Sequence, residues 1–371
     1  MHLPPFELDL WLSKYKFASP PIRYDLASST GPRWTLGELL DLGGESARAH
    51  LESLALAYLP AAGSAALRRR IGELVAVEPE WVVVTTGASE AMLALMCVVA
   101  EPGASVLLPA PCFPAFSVAA RVWGLDVRSY ALSREHGFLH TARAIAEAVD
   151  GTTRLVVVNT PHNPSGAVMP PEEIAVLGET LAARGVLLAV DEVYHPLYAR
   201  TQQPSASRLP NTVTMGDMSK ALSLGGLRIG WIIDRDHGRR ERLAQARGYF
   251  TVSGSPVTEG LAEIALASAE RILSRARAVI GANREALKRF IAAHAGTLAW
   301  IEPAGGTTAF PWFTDGRQAR PFAEALAKEG VLVTPGDCFG AGDHFRVGLG
   351  AEPEPFAAAL PIIARVLDAR R

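Results

Sequence analysis

The chain is poor in cysteine and lacks several features that would narrow its role at once. Cys97, Cys112 and Cys338 are its only three cysteines. They are too few and odd in number for a disulfide framework, and their separations match no metal-ligand spacing, so neither an oxidising compartment nor a metal site is expected. No apolar run reaches the ~18 residues of a membrane span, and the first residues show no basic region followed by an apolar core and a small-residue cleavage site. The expectation is a soluble, cytoplasmic protein. With a formal net charge of −2, the chain has no long-range attraction to nucleic acid or to anionic membranes. Its arginine clusters, Arg68-Arg69-Arg70 and Arg239-Arg240, fall in helix-like stretches without interleaved aromatics, as solvated faces do. Internal repeats, low-complexity segments and linker composition are also missing. A nicotinamide-dependent oxidoreductase would need a G-x-G-x-x-G turn after a strand, and Gly87 stands alone there.

What is present is enough apolar residue, 49% of 371, to fill two packed lobes. Between Trp81 and Ile233 short β-branched runs alternate with longer amphipathic stretches, the rhythm of βα units on a mostly parallel sheet. Strands are predicted at Trp81 to Thr85, Ser105 to Leu108, Asp126 to Tyr130, Arg154 to Asn159, Val186 to Val190, Thr212 to Met215 and Ile229 to Ile233. Helices are predicted at Ser89 to Ala100, Pro114 to Trp123, Thr141 to Val149 and Pro171 to Ala183. A single helical run from Thr258 to His294 follows. Beyond it a smaller unit is predicted, with strands at Leu298 to Ile301, Thr307 to Phe313, Val331 to Thr334 and Phe345 to Leu349 and helices near Arg320 to Glu329 and Pro353 to Ala369. The first 40 residues, broken by Pro20-Pro21 and Gly31-Pro32, have no such rhythm and read as an arm. The expected fold is therefore α/β: a large domain with a seven-stranded, mostly parallel sheet flanked by helices, plus a smaller α/β C-terminal domain. Boundaries are placed at 1–40 for the arm and part of the small domain, 41–267 for the large domain and 268–371 for the rest of the small one.

Most of the polar and glycine-rich signatures fall just past predicted strand ends, the edge where open α/β sheets bind ligands. Gly87-Ala88-Ser89 ends a strand and opens a helix, so free N–H groups and the helix dipole offer an anion site there. Read alone, Ser89 is simply an N-cap. Arg228, after Gly225-Gly226, could bring a guanidinium fork and Ser219 a hydroxyl to the same anion. Asp191 finishes an apolar strand, as a cap would, or as a buried carboxylate that keeps a pyridine nitrogen protonated. Asn163, before Pro164, and Tyr194 are a turn residue and a core tyrosine, or hydrogen-bond donors to a cofactor oxygen. Lys220, in Met218-Ser219-Lys220-Ala221, is a solvated lysine, or an amine placed to bond an aldehyde and then shuttle a proton.

Taken together and in order, these segments resemble the fold type I pyridoxal-phosphate enzymes of the class I/II aminotransferase superfamily, from about Tyr58 to Gly350. The resemblance implies pyridoxal 5'-phosphate as cofactor, bound by the large domain. By position, Lys220 matches the Schiff-base lysine, Asp191 the partner of the pyridine nitrogen, and Asn163 and Tyr194 the partners of the phenolic oxygen. Gly87, Ala88, Ser89, Ser219 and Arg228 match the phosphate cup, and Phe113 the aromatic stacked on the ring. Tyr58 matches the tyrosine that reaches the neighbouring subunit's phosphate, which implies a homodimer with shared sites. Arg346 matches the arginine that clamps the substrate's α-carboxylate, and Gly31 could lend a backbone contact beside it. Two departures stand out. Asp217 occupies a position where many relatives present a serine or threonine to the phosphate, and Phe113 replaces a frequent tyrosine or tryptophan.

The activity this implies is transamination between an L-amino acid and a 2-oxo acid. The alternative is a lyase or cyclase that uses the same Cα carbanion: β- or γ-elimination, racemisation, or elimination with ring closure like that of capreomycidine synthase. Trp11 to Thr30 and Gly216 to Trp231 bear a faint resemblance to that last branch. A ligand sensor on the same fold would need an N-terminal DNA-binding helical domain, and the arm is too short and too proline-broken to supply one.

Overall fold

The structure, a computed structural model, describes residues 5–369. The chain opens with α1 (Glu7–Lys16), β1 (Tyr24–Asp25), α2 (Leu36–Glu52) and α3 (Ala65–Val75). Thr35 starts α2 with a capping box: its hydroxyl accepts from the Glu38 N–H at 3.2 Å while the Glu38 carboxylate accepts from the Thr35 N–H at 2.7 Å. Ser64 caps α3 through the Leu67 N–H.

The large sheet contains β2 (Val82–Thr85), β3 (Ser105–Ala110), β4 (Asp126–Ala131), β5 (Thr153–Asn159), β6 (Leu187–Asp191), β7 (Thr212–Asp217) and β8 (Gly230–Asp234). Its spatial order is β2-β8-β7-β6-β5-β3-β4, and only β8 runs against its neighbours. The seven-stranded, mostly parallel sheet expected from the sequence is therefore present, each strand within two residues of its predicted bounds. Strands β5 and β6 are buried along almost their whole length, as parallel strands covered on both faces are. The covering helices are α4 (Gly87–Val99), α5 (Ala115–Val122), α6 (Ala142–Glu147), α7 (Pro171–Ala182) and α8 (His237–Phe250). One apolar cluster, including Met92, Leu95, Val157 and Ile232, fills one face of the sheet; another, including Leu107, Val156, Leu177 and Leu188, fills the other.

The single helical run expected from Thr258 to His294 is corrected to two helices, α9 (Pro256–Ala267) and α10 (Ala269–Ala293). They break at Ser268, whose φ of −116° is outside the helical range. α9 lies on α2 and α3, whereas α10 must turn to reach the last helix, α12 (Pro353–Asp368). The predicted strand Thr307 to Phe313 also divides, at Pro311, which has no N–H for a ladder. The C-terminal strands are β9 (Leu298–Ala299), β10 (Thr308–Ala309), β11 (Trp312–Phe313), β12 (Val331–Leu332), β13 (Thr334–Pro335) and β14 (Phe345–Gly348), with α11 (Arg320–Lys328) among them.

The proline-broken start of the chain holds more structure than its composition suggested. α1 buries Leu8 and Trp11, three positions apart on one face, and the Trp11 indole donates to the Val333 carbonyl at 2.9 Å. β1 pairs in parallel with β12. The chain continues along the C-terminal strands, with Leu26 N–H donating to Leu332 O at 2.8 Å and Gly348 N–H to Leu26 O at 2.7 Å.

Candidate active site

Strand register assembles the site. Asn159 at the end of β5 stands opposite Asp191 at the end of β6, which stands opposite Met215 in β7. Asp217 at the end of β7 and Thr85 at the end of β2 both pair with Gly230, the first residue of β8. The antiparallel course of β8 is what brings the chain just before it, and so Arg228, to the same edge. A cavity of about 160 Å³ opens there, lined by Ala88, Ser89, Phe113, Asn163, Asp191, Tyr194, Asp217, Ser219, Lys220 and Arg228 among others.

One end of the cavity is cationic and backbone-rich. Gly87 has φ +72°, and a Cβ on it would stand 2.4 Å from the Arg228 guanidinium, so only glycine lets that side chain lie across the start of α4. The N–H groups of the first turn of α4 have no intrahelical acceptors. Ser219 differs from expectation: its hydroxyl donates to Asp217 Oδ2 at 2.5 Å and its N–H to Asp217 Oδ1 at 2.9 Å. Asp217 therefore turns toward Ser219, not toward Arg228, and still lines the cavity. A ligand phosphate would meet Arg228 and the α4 N–H groups but also this carboxylate.

At the floor, the Asn159 side chain links two of the predicted residues. Its Nδ2 donates to Asp191 Oδ2 at 3.1 Å, and its Oδ1 accepts from the Asn163 N–H at 2.7 Å. Asn159 was not picked out from the sequence as a site residue. The strand-end position next to Asp191 was the available signal. Burial pushes the Asp191 carboxyl up to about 7, with Asp217 adding to the rise and Lys220 opposing it. Glu192, the next residue, points away and is held by the Ser205 hydroxyl and the Ala206 N–H. His162 is buried and its imidazole is pushed down to about 4 by burial, which leaves it neutral. It sits between the Pro111 carbonyl and the Ser165 hydroxyl and braces the loop.

Beyond the lining residue Asn163 lies Arg346, 2% exposed, and among the described residues no carboxylate is bonded to it. Its Nη1 donates to Asn163 Oδ1 at 2.9 Å and its Nη2 to Ala27 O at 2.7 Å, while the buried Nε has no partner. Because a guanidinium only donates, this contact fixes which atom of the Asn163 amide is oxygen and leaves its NH₂ free to donate elsewhere. An unpaired buried cation costs several kcal/mol, so this one is shaped for an anion. The Tyr194 hydroxyl is also buried without a hydrogen bond of regular geometry. Burial pushes it up to about 12, with Arg346 and the nearby Ser29 hydroxyl acting the other way.

The Lys220 amine donates to Ser29 Oγ at 2.9 Å. Burial pushes its basicity down, Asp217 and Asp191 oppose this, and Arg346 and Arg228 add to it. Ser29 lies in the N-terminal segment and nothing in its sequence neighbourhood marks it. Phe113 lines the cavity and meets the rings of Phe6 and Phe116 edge-on. Four predicted residues are not among the lining: Gly87, which borders the Arg228 guanidinium, Arg346, which donates to the lining residue Asn163, and Gly31 and Tyr58. Gly31 packs on Ser223, where a Cβ would fall 2.2 Å from the hydroxyl, and Tyr58 is 86% exposed on the surface.

These residues fit a pyridoxal phosphate: a cationic cradle that a Cβ at Gly87 would fill, an aromatic wall, a carboxylate floor, and orphaned buried donors at Tyr194 and Arg346. Among the described residues no helix is long and apolar enough to cross a membrane, and no group of three or more His, Cys, Asp or Glu is placed to hold a metal ion.

The model of the family described as aminotransferase class I and II matches residues 35–360. The chain is 33% identical over 364 residues to capreomycidine synthase from Streptomyces vinaceus, covering 95% of this chain and 91% of that one. Its fold is similar to a PLP-dependent aminotransferase from Streptococcus suis, with TM-score 0.92, 27% identity and coverage of 100% and 99%. It is also similar to the PLP-dependent cyclase OrfR, with TM-score 0.90, 26% identity and coverage of 100% and 99%.

Proposed function

Given that the chain belongs to the class I and II aminotransferase family of pyridoxal-phosphate enzymes, we propose that it is a cyclase of the capreomycidine synthase kind, acting on an amino acid with a leaving group at Cβ and a nucleophilic nitrogen farther along its side chain. The observation that carries this choice is the extent of the likeness to capreomycidine synthase. A match over 95% of the chain leaves too few residues out to exclude all of the segment before residue 35, where the family model stops. That segment delivers Ser29 to the Lys220 amine and the Ala27 carbonyl to Arg346.

When bound, pyridoxal phosphate supplies an aldehyde that condenses with an amine and a ring that accepts the electrons of a breaking Cα bond. Arg228 and the first-turn N–H groups of Gly87, Ala88 and Ser89 would hold the phosphate, with Ser219 beside them. Asp191 would serve the ring nitrogen, Asn163 and Tyr194 would donate to the phenolic oxygen, and Phe113 would cover the ring. Arg346 grips the substrate's α-carboxylate, which fixes the orientation of the Cα–H bond. Lys220, whose amine burial makes available as a base, takes the Cα proton. The Cβ substituent leaves with a proton, the side-chain nitrogen bonds to Cβ and gives up one, and Lys220 returns a proton to Cα. The net loss from the substrate is the leaving group plus one hydrogen.

Transamination is the second reading, favoured by the likeness to the Streptococcus suis aminotransferase along the whole chain. It needs the same Lys220, Asp191 and Arg346. A homodimer accompanies either reading. Tyr58, Leu56, Tyr249 and Val252 form exposed apolar surface, and Tyr58 would serve the partner's phosphate.

Holoprotein incubated with a panel of L-amino acids, including β-hydroxylated basic ones, tests the choice by mass spectrometry of products and by cofactor absorbance. A cyclic product lighter by the leaving group, with the starting spectrum regenerated, is expected. Stoichiometric conversion to the pyridoxamine form with release of a 2-oxo acid would instead establish transamination.

A further inference from the structure

We infer that Ser29 is a positioning residue for Lys220, a hydroxyl that sets the place and the basicity of the lysine amine whenever that amine is free. The inference rests on the reading of Lys220 given above. Among the described residues, Ser29 is the hydrogen-bond partner of the amine, at 2.9 Å, and the two residues lie 191 positions apart in the chain. The backbone that carries the hydroxyl is held at Ser29 and just before it. The Ser29 carbonyl accepts from the Thr307 hydroxyl at 2.7 Å, the Ala27 carbonyl from Arg346 at 2.7 Å, and the Leu26 carbonyl from Gly348 N–H at 2.7 Å. Ser29 itself is buried.

The charged and titratable groups that face the amine pull in opposing directions. Asp217 from the end of β7 and Asp191 from the end of β6 favour the ammonium form; Arg346 from β14 and Arg228 before β8 disfavour it. Tyr194 stands beside Ser29 as a further titratable group. In that balance a neutral acceptor touching the nitrogen has a definite sign: it stabilises the ammonium form, so removing it lowers the amine's pKa. It also fixes a nitrogen that otherwise swings on a four-carbon stem.

The rate at which cofactor-free, full-length protein forms an imine with added pyridoxal 5'-phosphate rises with pH as the amine loses its proton, and borohydride trapping followed by peptide mass spectrometry locates the adduct. For Ser29→Ala, the midpoint of that pH profile is expected to fall by about one unit, the scale of a hydrogen bond to a charged group. Ser29→Thr, which keeps the hydroxyl, is expected to restore it. A Ser29→Ala midpoint equal to wild type overturns the inference, and so does an equal shift in Ser29→Thr, which would mark a packing effect. If Ser29→Ala does not fold, Ser29→Cys replaces it, with a smaller downward shift expected from the weaker acceptor and an unchanged midpoint counting against. A wild-type protein that forms no adduct at Lys220 overturns the functional reading and this one with it; a normal wild type with an unshifted variant overturns this one alone.

Discussion

The candidate site is built from two parts of the chain that differ in almost every respect. One is the carboxyl edge of the large sheet, where Asn159, Asp191, Asp217 and Lys220 sit at or just past strand ends whose register is fixed by buried, continuous ladders. The other is the segment from Tyr24 to Gly31, two residues of strand and an extended run, which places Ser29 and the Ala27 carbonyl by hydrogen bonds to the C-terminal strands. The sheet edge supplies ionisable groups on a rigid frame; the segment supplies a neutral hydroxyl and carbonyls on a strap. Chemistry is expected to depend on the first and its tuning on the second.

The deepest break in that contrast is Lys220→Ala, expected to abolish the borohydride-trapped adduct and lower turnover at least about 10³-fold, since the proposed nucleophile and proton carrier are the same side chain. Arg346→Ala comes next. It removes a buried cation contributed by the C-terminal strands yet seated on both regions, through Asn163 and Ala27, and kcat/KM is expected to fall about 10²-fold to 10³-fold.

A third measurement isolates Asp191 in the cofactor-free protein. Its folded-state pKa is raised to about 7 from 3.8, so the folded form binds the proton more tightly than the unfolded chain does. Stability from this group is thus present at low pH and lost as pH rises through that window, on the order of 2–4 kcal/mol if the whole shift is realised. Denaturant midpoints of the cofactor-free wild type should fall from pH 5 to pH 8, and Asp191→Asn should flatten part of that fall. With cofactor bound, the same substitution should instead cost activity. The smallest effect is expected at Asp217. Replacing it with serine removes a carboxylate from the cationic end and frees the Ser219 hydroxyl, and equilibrium titration should show pyridoxal 5'-phosphate bound about 3-fold to 10-fold more tightly.

The same contrast governs what could be read from the sequence. The central strands of the large sheet were legible because a buried parallel strand writes itself as an uninterrupted run such as Leu155 to Val158, and the residues that follow such runs are placed by the fold. Ser29 was not legible, because its neighbours Ser28, Thr30 and Gly31 make an ordinary polar stretch and its partners Lys220 and Thr307 lie 191 and 278 positions away. Asn159 was legible only as the end of a predicted strand, because a strand-end asparagine has no periodicity to show that it binds Asp191. α1 was missed since proline-rich surroundings outweighed the spacing of Leu8 and Trp11. The small C-terminal strands were blurred because two-residue ladders carry no pattern of their own.

The separation in sequence between Arg346 and Ala27, 319 residues, has a consequence for synthesis. Cofactor-facing groups from Gly87 to Arg228 emerge from the ribosome with most of the sheet that holds them, whereas the strap that carries Ser29 has no docking partner until β12 and β14 have been translated. On the proposed reading, a nascent chain therefore acquires the means to hold its vitamin before it acquires the means to grip an amino acid, and the second capacity waits for β14.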